Sequence, residues 1–140
     1  MRSALGIVIG AIVWMAVFTV LAVATAAIWP DYWVHGRAWN TEHVYGFTPP
    51  MSVVNALLWI LGEIAAGWVA VVIARRRQAL WVLAAGIGLY LAFMHLYYEW
   101  ANLPWWYNLL VAIPAVPAVL LGGKLAGRRD ASTRAAPMLT

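Results

Sequence analysis

Four apolar runs constrain this chain more than any other feature. They cover residues 5–29, 51–74, 79–100 and 106–127. Each reaches the roughly 20 residues that a helix needs to cross about 30 Å of hydrocarbon. Lipid offers no partner for the N–H and C=O groups of an open sheet edge, so continuous apolar runs of this length are expected to be helices. The expected fold is an all-α membrane protein with four transmembrane helices in one domain, residues 1–127. An outer loop is expected over 30–50 and a short cytoplasmic tail over 128–140, loosely ordered or helical only by fraying. Composition agrees, with 65% hydrophobic and only 10% charged residues, against roughly 25% charged in soluble domains.

The basic residues give a direction. Arg2 precedes the first run, and Arg75, Arg76 and Arg77 fill the turn between the second and third. Lys124, Arg128, Arg129 and Arg134 end or follow the fourth. Of the 9 Lys and Arg, Arg37 alone lies in the other set of loops. Positive charge is retained on the cytoplasmic side of membrane proteins. The expectation is therefore two in-out-in hairpins with both termini cytoplasmic, in a bacterial inner membrane. The net charge of +4 is then a topology signal with affinity for anionic headgroups, and nucleic acid is not an expected partner. The ATA tripeptide at 24–26 resembles a signal-peptide cleavage site. The apolar region before it is longer than the usual 7–15 residues and its basic flank is thin, so the first run is read as a retained helix.

Chain content excludes some chemistry. There is no cysteine, hence no disulfide framework, zinc–thiolate site or cysteine nucleophile. No Walker pattern, phosphate-cradling glycine loop or ordered Ser–His–Asp set is present, so no catalytic residue is assigned. The 10 Trp fit membrane interfaces, which favour a ring with an apolar body and a polar N–H. Trp29 and Trp33, with Tyr32 and Trp39, are expected to anchor one outer turn. Trp100, Trp105 and Trp106, with Tyr97, Tyr98 and Tyr107, are expected to anchor the other.

Three groups of polar residues stand out against this background. Glu63 falls in the middle of the second run. A charge there costs about 2.5–3.5 kcal/mol, against about −3 to −7 kcal/mol from the 11 Val, Leu and Ile of the same run. The helix still inserts, and Glu63 is either a proton or ion site or a neutral donor locking two helices. Asn55 lies about 80° away on the helical wheel and joins it as a candidate. Gly62, Ala66, Ala70 and Ala74 form a seam of small residues suited to close helix packing.

His95 and Glu99 are spaced i, i+4 at the outer end of the third run, with Glu99 expected at the water and the pair turned into the bundle. With His35 and His43 they are the candidates for a metal or haem, since imidazole and carboxylate suit Zn, Cu or Fe. No recognised ligand spacing joins them, and the cofactor is left unknown. Pro114 and Pro117 each remove a helical hydrogen bond, which predicts a kink near mid-membrane in the fourth run.

From FTPP at Phe47 to GGK ending at Lys124, the chain resembles a group of small bacterial four-helix membrane proteins. The likeness rests on the Gly/Ala-rich second run, the PWWY motif from Pro104 to Tyr107, and internal proline followed by Gly122 and Gly123. That group carries a His after its Trp-Tyr pair, where this chain has Asn108. The resemblance implies the four-helix fold and no activity. FTPP and the Trp content also resemble the tryptophan-rich sensory protein family, which binds porphyrins and sterols, but that family has five spans and the remaining pattern departs from it.

Three functions fit these features. The first is a non-enzymatic accessory or assembly subunit packing against other membrane proteins. The second is a small proton-coupled transporter using Glu63, which would have to be a homo-oligomer. The third is a binder of an apolar pigment, quinone or haem.

Overall fold

In the computed structural model the four runs are helices. The backbone is described for residues 1–42 and 45–135, and side chains for residues 1–38 and 45–127. His43, one of the sequence candidates, lies outside the described residues. Helix α1 covers Arg2–Ile28, α2 Pro30–Glu42, α3 Pro49–Ala74 and α4 Arg77–Phe93. A π-helical turn, Met94–Tyr98, continues α4, and α5 (Trp105–Ala112) and α6 (Ala115–Ala135) complete the chain. No strand occurs among the described residues. Four segments are long and apolar enough to cross a membrane: Arg2–Ile28, Pro49–Ala74, Arg77–Tyr98 and Trp105–Gly127.

Contacts between the helices set their relative directions. Gly6 meets Ala70 and Ala74, Gly10 meets Ala66, and Trp14 meets Gly62, so α1 and α3 run antiparallel. Asn55 bonds Tyr107 and Gly67 touches Val119, so α3 runs parallel to α5 and α6. Gly123 meets Leu80 and Gly88 meets Val116, which makes α4 antiparallel to α6. The seam at Gly62, Ala66, Ala70 and Ala74 thus receives α1, through Gly6 and Gly10. A Cβ on Gly6 would stand 2.9 Å from the Ala70 carbonyl oxygen. Small residues on both helices let the backbones approach, the main source of helix association where lipid is the solvent.

The junction of α3 and α4 is tight. Arg75 takes a left-handed conformation (φ 52°) and its N–H donates to the Val71 carbonyl. Arg76 is extended and leads directly into α4. Proline starts α3, with Pro49 and Pro50 in its first turn, where their missing N–H groups have no helical acceptor to lose.

Three expectations need correction. Residues 30–42 are helical, not an open loop. Pro30 begins α2 and Asp31 lies in its first turn, both favourable to a helix start. The tail is helical as far as Ala135, because α6 continues without a breaker. The two prolines of the fourth run also do different things. The helix breaks at Ile113–Pro114, between α5 and α6. Pro117 sits in the first turn of α6, where no N–H is required. The break lies about 12 Å from the start of α5, by the helical rise, close to the middle of the Trp105–Gly127 segment, where the sequence predicts the kink.

Candidate functional site

A cavity of about 470 Å³ opens in the half of the bundle that carries α2. Helices α1 and α4 touch at Gly10 and Leu83 and at Trp14 and Tyr90. Beyond these contacts they form opposite walls. Phe18, Thr19, Ala22, Val23 and Ala26 line one side, and Tyr90, Leu91, Met94, His95 and Glu99 the other. Along α1 the cavity spans about 12 Å. Helix α2 closes one end with Tyr32, Trp33, Gly36 and Arg37, spaced to share one helical face. Asn55 and Trp59 of α3, with Tyr107 of α5, form the inner wall. Val23, Trp33 and Tyr90 on its border are half-exposed or more, so the cavity communicates with the outside of the bundle between α1 and α4.

Two hydrogen-bonded chains run along its walls. In the first, Tyr32 OH donates to Asn55 Oδ1 at 2.5 Å. Asn55 Nδ2 donates in turn to the Tyr107 hydroxyl oxygen at 2.6 Å. The second joins His95 Nδ1 to Asn108 Oδ1 at 3.1 Å, while Asn108 Nδ2 points at the Leu103 carbonyl at 3.4 Å. Asn108 is completely buried. With its amide nitrogen turned to a carbonyl, its oxygen is left to accept from His95. This network assigns the proton of a neutral imidazole to Nδ1 and leaves Nε2 an acceptor.

The π-helical turn creates the local geometry. Glu99 N–H donates to the Met94 carbonyl at 2.7 Å, from i+5 to i, and such turns commonly occur at functional sites. The chain then curls back, with the N–H groups of Asn102 and Leu103 donating to the Glu99 carbonyl. Asn102 Nδ2 donates to Glu99 Oε2 at 3.1 Å. Glu99 is consequently 7% exposed and His95 8%, and both line the cavity. Glu99 is therefore not at the water, as the straight-helix spacing suggested.

Nearby, Tyr45 OH and Ser52 Oγ are hydrogen-bonded, and Ser52 Oγ donates to the Thr48 carbonyl. Burial pushes the Tyr32 hydroxyl up to about 12. Burial also raises Tyr45, partly offset by its bond to Ser52.

The remaining candidates fall elsewhere. Glu63 is fully buried, and neither carboxyl oxygen has a hydrogen-bond partner among the described residues. It lines no part of the cavity. The neighbouring helices thus give it no acceptor for the expected lock. His35 packs against Phe47, ring centroids 6.4 Å apart, and is not in the cavity wall. No group of three or more His, Asp and Glu suited to a metal occurs among the described residues. Of the Trp anchors, Trp33, Trp100 and Trp105 are exposed, while Trp29 and Trp106 are half-buried. Tyr32 and Tyr107, grouped with them by sequence, are instead buried at 5% and 3% exposure.

Sequence reasoning missed Tyr32, Tyr107 and Asn108 as one constellation with Asn55 and His95. Only Asn55 and Asn108 carried a signal, as amides inside apolar runs. The fold is that of a multi-pass membrane protein with a laterally open cavity at one end, its wall mostly apolar with a few polar groups. No protein-family model, curated protein or solved structure matches the chain.

Proposed function

We propose that this is a binding protein of the bacterial cytoplasmic membrane whose cavity holds a small amphiphile, with a polar head among Asn55, His95 and Tyr107 and an apolar tail leaving between α1 and α4. The eight-to-one division of basic residues supports placing both termini and the Arg75 turn in the cytoplasm and the cavity in the outer half. One observation carries the reading: a cavity of about 470 Å³ with aromatic walls, convergent polar groups and a lateral opening. Ligand sites have this size and make-up, mostly apolar with a few placed polar groups. An opening on the hydrocarbon side selects ligands already dissolved in the membrane.

The accessory-subunit reading keeps its argument from small residues and aromatics. The transport reading has Glu63 as its motive group, but Glu63 is closed off from the cavity, and this ranks it lower. Native mass spectrometry of protein released gently from its own membrane tests the choice. A retained mass of a few hundred daltons, lost in Ala22→Trp, is expected. Retained polypeptides with no small molecule would favour the subunit reading instead.

A further inference from the structure

If the cavity is an amphiphile site, the two wall networks narrow what its head can be. The Tyr107 hydroxyl oxygen already accepts from Asn55 Nδ2 at 2.6 Å. Its own proton remains to be donated. His95 is the reverse case. Its Nδ1–H is committed to Asn108, whose orientation is fixed by the Leu103 carbonyl. Its Nε2 lone pair has no protein donor among the described residues, and it is not sealed in the core, since it is absent from the buried atoms without partners. The two rings are edge to face with centroids 5.9 Å apart, and both residues line the cavity. A ring that carries a donor and a ring that carries an acceptor therefore stand side by side in the wall.

We infer that the site is built for a neutral, hydroxyl-headed amphiphile, a membrane alcohol whose O–H donates to His95 Nε2 and whose oxygen accepts from Tyr107 O–H. A hydroxyl is the smallest group that does both at one atom. A carbonyl or ether satisfies Tyr107 and leaves Nε2 facing an oxygen lone pair. Formal charge points the same way. Arg37 and Glu99, one cation and one anion, are both in the wall, so the cavity has no excess charge to select a phosphate or an ammonium head. Asn108 is a positioning residue here: it sets which imidazole nitrogen is free and does not itself line the cavity.

The test uses the full chain in detergent and one C20 isoprenoid tail carrying a hydroxyl, a methyl ether or a primary amine, titrated by native mass spectrometry. The alcohol is expected to bind about tenfold more tightly than the ether, as one buried hydrogen bond implies. His95→Phe should remove that preference and leave ether binding unchanged. Tyr107→Phe should weaken alcohol and ether alike. Equal binding of alcohol and ether to the unaltered protein, or a preference for the amine, would overturn the hydroxyl assignment while leaving the amphiphile site standing. No binding of any of the three would remove both. The comparison of heads on the unaltered protein decides the matter even if a variant fails to fold.

Discussion

Glu63 has no exposed surface and, among the described residues, no partner for either carboxyl oxygen. An unpartnered buried polar group costs about 1–3 kcal/mol in protein mutants. Glu63→Leu, of similar volume, should therefore stabilise the bundle by about that amount, read as the free energy of unfolding in mixed micelles. A loss of stability would mean that an ion or water satisfies the carboxyl and would revive its functional reading. Tyr32 gives a pH signature. Its hydroxyl is held at about 12 by burial, above the ordinary value of about 10. The neutral form is favoured in the fold, so its contribution is full below pH 10 and is lost as pH rises through about 12. Alkaline unfolding followed by circular dichroism should be less steep across this window in Tyr32→Phe. These two residues also mark what a sequence tells at this scale. A carboxylate amid apolar residues is conspicuous wherever it points. A tyrosine beside Trp29 or Trp106 has the composition of an interfacial anchor, and only packing turns Tyr32 and Tyr107 inward.

At the scale of elements, the crossing of α3 and α6 depends on two glycines. A Cβ on Gly67 would fall on the main-chain carbonyl of Val119, and one on Gly122 on that of Ile64. Backbone cannot give way as a side-chain tip can. Gly67→Ala should therefore lower stability by at least the ~1–3 kcal/mol of an overpacked core. Gly86 faces open space inside α4, so Gly86→Ala should raise stability by up to about 1 kcal/mol through helix propensity. Paired thermal unfolding curves separate the two, and similar shifts in both would show that the crossing is looser than described. The long helices were legible because twenty apolar residues have one stable form in lipid. The small-residue seam was legible on α3, where four members repeat, and was overlooked on α1, where Gly6 and Gly10 supply only two. The short elements were hidden. Helix α2 has a polar sequence that reads as a loop, and the π-helical turn changes spacing without changing composition. It is this turn, with the return at Asn102, that buries Glu99.

For the whole molecule, the helix directions bring Met1, the Arg75 turn and α6 beyond Gly123 to one end, with α2 and the cavity at the other. Geometry alone does not say which end meets the cytoplasm; the proposed orientation rests on charge, with eight basic residues at the first end and Arg37 at the second. The chain has no cysteine, so a single introduced thiol reports its own side without background. Asp31 at the start of α2 and Arg76 in the α3–α4 turn are both exposed, which lets either be replaced with little structural effect. In intact cells treated with a membrane-impermeant maleimide, Asp31→Cys should label and Arg76→Cys should label only after the membrane is opened. The opposite pattern would turn the cavity toward the cytoplasm. The ligand would then be sought in the inner leaflet, while the hydrogen-bonding logic of His95 and Tyr107 would stand unchanged. Labelling of both in intact cells would signify dual insertion, with the cavity presented to both leaflets. Removal of charge tests the cause: replacing Arg75, Arg76 and Arg77 together by Gln should erode the labelling difference, because it deletes three of the eight charges on which the proposed orientation rests.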